Sequence, residues 1–479
     1  MTEILAALAG IAIGLFFVTR VRAWLVERTF LRVLVPLDTV PWALHNLESF
    51  SEFLRHASPE ARILGRRTIG RMLKTIKDAH QVQIALYSDP PQDDGEAATC
   101  LEKAGLLREL DLSTGEAREA LGAIEADQHC MEPRGDFAEY HPSESPKGAF
   151  NLVSEIDPLA GAVLAWPVHF PKGWKHHAEF TRHVTTGGKA LLAVPSLSWQ
   201  KCVQLYLERS GVALENVVFL RNPTSDVWVR DFGPTFVRSE RGDIAVITNA
   251  YVPYEHPFQN ADDQFPIEFA RQFGIPAYRL PIVVEGGNIV ADGRGTIVMC
   301  DSVLDRNPQI SEARLREIME AYFGCQQLII LPSLAGEVTG HADMVVKFLD
   351  PETVAVASAD PSYHWSDTFD EIANRLSQTR VDGGRTRLNV VRVPGVHTSK
   401  TNPKVWGYIN ALTVNRTVIL PRYDLPSDAV AEKIFTEHLP NFEILSVDMR
   451  DHLVGAVHCQ AKEVPAALSP LLSTGLDHG

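Results

Sequence analysis

The residues with the most chemistry to offer lie in four short segments after residue 150. Cys459 stands in GAVHCQAKEVP, and a cysteine thiolate is a strong nucleophile, able to attack carbon centres that resist water. Its neighbour His458 invites a Cys–His reading. In an extended stretch, however, adjacent side chains point to opposite faces, so His458 is poorly placed to activate Cys459 and a base must come from elsewhere. The segment TGHADMVVKFLD supplies one: His341 and Asp343 are two apart on what reads as a strand entering MVVKF, which sets both side chains on one face. Side by side, a histidine and a carboxylate can move a proton and hold a positive charge. Taken singly, such a pair is common on solvent faces.

The third segment, SDVWVRDFGPTFV, gathers Asp226, Trp228, Arg230 and Asp231 ahead of a Gly233-Pro234 turn. A carboxylate matches the planar donor fork of a guanidinium, and an aromatic face packs against a delocalised cation. In the fourth, VVEGGNIVADGRGTIV, Glu285 and Asn288 flank two glycines that let the backbone approach a neighbour closely, and Asp292-Gly293 forms a hairpin turn. A surface Asp–Arg pair at a strand end explains the third segment equally well, and a plain glycine turn explains the fourth.

These segments must be carried by short strands. From residue 150 onwards, runs rich in Val and Ile (AVLAWPV, KALLAVP, NVVFL, DIAVITNAYV, TIVMC, QLIILP, DMVVKFL, TVAVASA, NVVRVP, TVILP) alternate with helix-like stretches, which is an α/β pattern. No GxGxxG or GxxxxGKS loop accompanies it, so a nucleotide-binding role loses its support. The chain of 479 residues is 45% hydrophobic and 22% charged, a globular composition long enough for more than one unit. Its 45 Lys and Arg against 60 Asp and Glu leave a net charge of -15, which offers nucleic acid no attraction and suits a cationic ligand. Six cysteines without a CxxC pair argue against a disulfide scaffold and a cysteine zinc site.

The amino-terminal third reads differently. Ile4 to Val18 carries no charge, apolar character extends to Val26, and Arg20, Arg22, Arg28 and Arg32 follow. The expectation is a membrane-anchor helix in residues 1–35, spanning roughly residues 4–26, which by the positive-inside rule leaves the rest of the chain membrane-associated on the cytoplasmic side. A helix buried in a core or facing a partner, in a soluble cytoplasmic protein, is the alternative. Residues 36–148 show apolar positions at three- and four-residue spacing and read as amphipathic helices of unknown role, ending in the polar, Pro-rich run HPSESPKG. Residues 149–470 then form the catalytic domain.

Taken together and in order, the four segments resemble the guanidine-modifying enzyme superfamily, in the branch that holds agmatine deiminases and Porphyromonas-type peptidylarginine deiminases. WxRDxGP appears as Trp228 to Pro234, EGGN as Glu285 to Asn288, RNP as Arg306 to Pro308, GHxDM as Gly340 to Met344, YxN as Tyr408 to Asn410, and HC as His458-Cys459. The resemblance covers about residues 150 to 467 and implies the pentein fold, a five-bladed α/β propeller of repeated units around a central site.

It further implies hydrolytic deimination. Cys459 would attack the guanidinium carbon, Asp231 and Asp343 would clamp its nitrogens, and His341 would shuttle protons. Trp228 would pack on the substrate, Glu285 would hold His341 or the substrate, and Asp226, Arg230 and Asn288 would complete the binding site, with no metal or organic cofactor. Two stretches depart from the agmatine branch: SEIDPLAGAVLAWP stands where a Trp-containing acidic entry segment is usual, and CQAKEVP where Thr-Gln-Gln follows the cysteine. The expected substrate is therefore a guanidino group in agmatine, arginine or peptidyl arginine, with Glu155 and Asp157 as candidates for contacting a distal positive charge. An amidinotransferase, or a membrane-tethered protein that only binds guanidino ligands, is the alternative.

Overall fold

Every one of the Val- and Ile-rich runs contributes residues to a strand, and five sheets repeat one connection: two antiparallel strands, a helical segment, then a third strand parallel to the second. The computed structural model describes residues 140–473 apart from 142–143, 168–172, 196, 225, 250–259, 338, 398–404 and 451–455. In the first unit the last strand of the chain, Ala461–Pro465, runs antiparallel to Leu159–Ala165, followed by the helix Trp174–Gly187 and the parallel strand Lys189–Val194. A further parallel strand, Val217–Arg221, extends that sheet. The second unit is Thr235–Ser239, Ile244–Thr248, the helix Asn260–Phe273 and Ala277–Arg279. The third is Val290–Ala291, Thr296–Cys300, the helices Ser302–Arg306 and Glu312–Phe323, and Gln327–Leu331. The fourth is Val346–Asp350, Thr353–Ser358, Ser366–Gln378 and Asn389–His397, and the fifth is Leu412–Val414, Thr417–Arg422, Pro426–His438 and Glu443–Asp448.

Local sequence explains these elements. In Leu159–Ala165 all seven residues are buried, because the strand is covered on both faces: Ala162 and Leu164 join one core while Val163 and Ala165 join another. The helix Trp174–Gly187 turns Trp174, Ala178, Thr181 and Val184 inward at three- and four-residue spacing. Glu312–Phe323 begins at Ser311, whose hydroxyl accepts from the Arg314 amide at 3.2 Å, and ends at Gly324 with φ 63°, a left-handed cap that favours glycine.

Each unit is entered through one tight turn, and these turns carry the residues of interest. Val229–Phe232 bears Asp231 ahead of the second unit, Gly286–Asn288 follows Glu285 ahead of the third, and Ala342–Met344 contains Asp343, just after His341, ahead of the fourth. The turn at residues 408–410 ends in Asn410 ahead of the fifth unit, and His458–Gln460 holds Cys459 ahead of the closing strand of the first. The expected strand through His341 and Asp343 is corrected here: the strand starts only at Val346, and the pair is brought to one side by an extended residue followed by a 3-10 turn. Cys459 likewise sits in a 3-10 turn.

The polar run expected to separate two domains contributes an edge strand, Tyr140–His141, parallel to Ala277–Tyr278. The expected helices before residue 140 lie outside the described residues. The membrane-associated location is corrected: among the described residues no helix is long and apolar enough to cross a membrane, and the run from residue 4 to 26 that suggested one lies outside them.

Candidate active site

The entry turns bring Asp231, Glu285, His341, Asp343, Asn410 and Cys459 into one buried cluster, all less than a tenth exposed. The Cys459 thiol donates to the side-chain carbonyl of Asn410 at 3.3 Å and lies 4.0 Å from Asp343 Oδ2. Asn410 Oδ1 also accepts from the Cys459 amide at 3.3 Å, and its backbone carbonyl accepts from the His458 amide at 3.2 Å, so this turn sets the position of the thiol. Burial, reinforced by the charges of Asp343 and Asp231, pushes the thiol well above its ordinary value. At rest the sulfur is therefore protonated.

His341 is held at both ring nitrogens. Nε2 donates to Glu285 Oε2 at 2.6 Å, while Nδ1 stands 3.6 Å from Asp231 Oδ1, an ion-pair separation. Burial alone would lower the imidazole, but the carboxylates of Asp231 and Glu285, with Asp343 behind them, reverse this and raise it to about 9. Burial raises Asp231 to about 6, against the lowering effect of His341 and with the help of Glu285 and Asp343. Glu285 stays below the usual carboxylate range: burial opposes this, but His341 and the Arg306 guanidinium, which pairs with it, prevail. Arg306 also donates to the Thr339 carbonyl at 3.0 Å, tying the third turn to the loop that presents His341.

The two glycines of EGGN make this approach possible. A Cβ at Gly286 would lie 2.0 Å from the Arg230 carbonyl oxygen, and one at Gly287 would lie 2.5 Å from His341 Nδ1 and 2.8 Å from Asp231 Oδ1. The Gly287 amide donates to Asp231 Oδ1 at 3.0 Å. Asn288 fastens the same turn, with Oδ1 accepting from Cys300 N at 2.8 Å and Ala342 N at 3.1 Å.

Asp343 is divided between two tasks. Its Oδ2 accepts from His458 Nδ1 at 2.7 Å, while Oδ1 is buried and has no hydrogen-bond partner among the described residues. Burial opposes its ionisation, yet the bond and charge of His458, with His341 and Arg230, keep its carboxyl below the usual range. Trp228 Nε1 is also buried without a hydrogen-bond partner among the described residues. Such atoms are costly to leave unmet, and an acceptor beside a thiol and a cationic imidazole suits a ligand that donates N–H groups.

Other expected binding residues have their polar atoms engaged elsewhere. Arg230 is 2% exposed, pairs with Glu155 and Glu463, and donates through Nε to the His458 carbonyl at 3.3 Å. Asn288 serves the backbone contacts just given. Asp226 is buried and raised to about 7, chiefly by burial with a contribution from Asp231, and accepts from the Val227 amide at 2.7 Å. The candidates for a distal cation are corrected: Glu155 is part-buried and bound to Arg230, Lys347 and His458, and Asp157 pairs with Arg238 at 3.1 Å. Asn410 and Arg306, present in the sequence only as motif residues without an assigned role, and Glu155, expected against a distal charge, instead support the cluster. The signal for Asn410 was its place directly before a strand, which it shares with the other entry turns. Among the described residues no three His, Cys, Asp or Glu side chains form a group able to hold a metal ion.

A thiol, a cationic imidazole and two carboxylates around an unmet acceptor form a site for a planar cation, and comparison with known proteins bears on the same chemistry. The family model for Porphyromonas-type peptidyl-arginine deiminases matches residues 151–465. The chain belongs to that family. A relative from Listeria monocytogenes named "Putative agmatine deiminase 1" is 27% identical over 366 residues, covering 67% of this chain and 98% of the relative. Among solved structures, the agmatine deiminase of Enterococcus faecalis superposes with a TM-score of 0.58 at 20% identity, covering 67% of this chain and 99% of that one. A cysteine-to-serine form of C. jejuni agmatine deiminase with substrate bound gives a TM-score of 0.56 at 20% identity, covering 66% and 96%. These neighbours share the deiminase family's mixed α/β fold with this chain.

Proposed function

We propose that the chain hydrolyses a guanidino group to a ureido group and ammonia, through a covalent intermediate on Cys459, in a five-bladed propeller of the pentein kind. The family is one of hydrolases acting on linear amidines, and five sheets with one repeated connection support the propeller reading. The observation that carries the mechanism is the juxtaposition of the Cys459 thiol, the half-satisfied Asp343 carboxylate and the His341–Glu285 pair.

The guanidinium enters between Asp231 and Asp343, whose carboxylates accept its N–H groups through charge-assisted bonds. Its positive charge neutralises the two groups that, together with burial, hold the thiol protonated, so the thiol gives up its proton to solvent as substrate binds and the thiolate forms. Sulfur attacks the guanidinium carbon, giving a tetrahedral adduct. His341, protonated at neutral pH, acts through Nδ1, the nitrogen facing Asp231, and gives its proton to the nitrogen held there, which leaves as ammonia. The neutral imidazole then takes a proton from water as it attacks the thiouronium carbon. Collapse of the second adduct passes the hydroxyl proton to the departing sulfur, which restores the resting thiol and releases the ureido product.

Because Glu155 and Asp157 are engaged, neither is free to read a second charge on the substrate. We infer a site that reads the guanidinium first and tolerates agmatine, arginine and peptidyl arginine, with discrimination of about 1–3 kcal/mol for a change of chain length. The test is release of ammonia and ureido product from agmatine, arginine and an amide-blocked arginine peptide, with water as the only co-substrate. Cys459→Ala is expected to fall to the uncatalysed background; product formation by that variant would end the covalent mechanism.

A further inference from the structure

His458 adjoins the nucleophile in sequence but has no bond to its sulfur. Its ring is instead clamped between two carboxylates, with Nδ1 donating to Asp343 Oδ2 at 2.7 Å and Nε2 against Glu155 Oε1. Glu155 is itself fixed by Arg230, by Lys347, and by the Thr413 amide, which donates to Oε2 at 3.0 Å. The backbone of His458 is anchored too, through its amide to the Asn410 carbonyl and its carbonyl to Arg230 Nε. The ring therefore has little freedom of its own.

Asp343, by contrast, borders a cleft of mixed polar and apolar lining that it shares with Glu155, Lys347, His458 and Ile409, while neither Cys459 nor His341 lines it. The bond from His458 occupies Oδ2, which leaves Oδ1 as the one oxygen with unmet acceptor capacity.

We propose that His458 is a positioning residue: anchored by Glu155, it fixes the Asp343 carboxylate so that Oδ1 is presented to the substrate guanidinium. This rests on the reading of Asp343 as a guanidinium clamp. A group that orients a binding carboxylate acts on ground state and transition state alike, so its loss raises KM and leaves kcat largely in place. Removing the imidazole is expected to weaken guanidinium binding about tenfold to a hundredfold, the range for a hydrogen bond to a charged group.

The experiment measures calorimetric affinity for butylguanidine and agmatine in a Cys459→Ser background, with His458 unchanged or replaced by Asn, Gln or Leu, and KM and kcat for the same His458 variants with Cys459 intact. Asn carries an amide nitrogen close to the place of Nδ1 and keeps the bond to Asp343; Gln reaches towards Glu155 instead; Leu makes neither bond. The expected order of affinity is His, then Asn, then Gln and Leu, with the loss falling in KM. Should Leu fail to fold, the Asn–Gln comparison decides. Equal affinities, or Gln binding as well as Asn, overturn the positioning role while leaving the deiminase reading intact. Failure of the Cys459→Ser protein itself to bind any guanidino compound removes both.

Discussion

A cysteine buried between carboxylates is a poor nucleophile at rest, and in the proposed mechanism the substrate brings the missing positive charge. In that mechanism the same electrostatics fix the pH range of activity. Asp231 must be ionised to hold the guanidinium, and with its carboxyl raised to about 6, binding is lost as pH falls through that value. His341 must be protonated to release ammonia, and with its imidazole raised to about 9, that step is lost as pH rises through it. A plot of kcat/KM against pH is therefore expected to be bell-shaped, with limbs near these two values. Glu285→Gln removes a hydrogen-bonded carboxylate from His341, and loss of such a partner typically moves a pKa by about 1–3 units. The alkaline limb should shift towards neutral pH in that variant while the covalent step survives. An unmoved alkaline limb would show that some other group sets it.

One element recurs at the head of every unit: a tight turn that ends an incoming connection, brings one or two side chains to the buried cluster, and feeds a strand. Much of this was legible in the sequence, since the motif residues occur just before apolar runs and each such run contributes residues to a strand. Their local form was not. His341 and Asp343 fit the two-residue period of a strand, yet the chain brings them together through a 3-10 turn, and a three-residue turn leaves no periodic signature. Nor did the sequence show that Glu155, far from Arg230 and Lys347 along the chain, would be sealed between them, because the pairing of ions distant in sequence depends on the tertiary fold. The glycine pair was visible as a close approach without saying to what. At Gly287 the answer is the His341–Asp231 couple, where an added methyl group would intrude well inside contact distance. Gly287→Ala is expected to displace that couple and lower kcat/KM by about a hundredfold, the cost of roughly 1 Å of misplacement. Intact near-ultraviolet dichroism with lost turnover would locate the damage in the turn. Unimpaired turnover would show that the couple has room to yield.

At the scale of the molecule, the family match occupies residues 151–465, and the Listeria relative is matched over 98% of its length while taking up 67% of this chain. The relative's length is thus accounted for by the part of the chain that carries the five units. That part is tied end to end, because Ala461–Pro465 pairs with Leu159–Ala165, so the strand leaving the cysteine is held by the first strand of the first unit. Tyr140–His141 adds one short edge strand beyond it. A fragment of residues 140–479 is therefore expected to fold and to keep the kcat/KM of the full chain. A fragment beginning at residue 166 loses the central partner of the closing strand. With it go the buried side chains of Leu159, Val163 and Leu164, whose burial contributes roughly 5–9 kcal/mol. Since net stability is only about 5–15 kcal/mol, that shorter fragment should not fold cooperatively. Urea unfolding followed by tryptophan fluorescence, with ammonia release measured in parallel, checks both. An inactive or insoluble 140–479 fragment would mean that residues 1–139 form part of the catalytic unit, and would break the correspondence with relatives that is drawn from length alone.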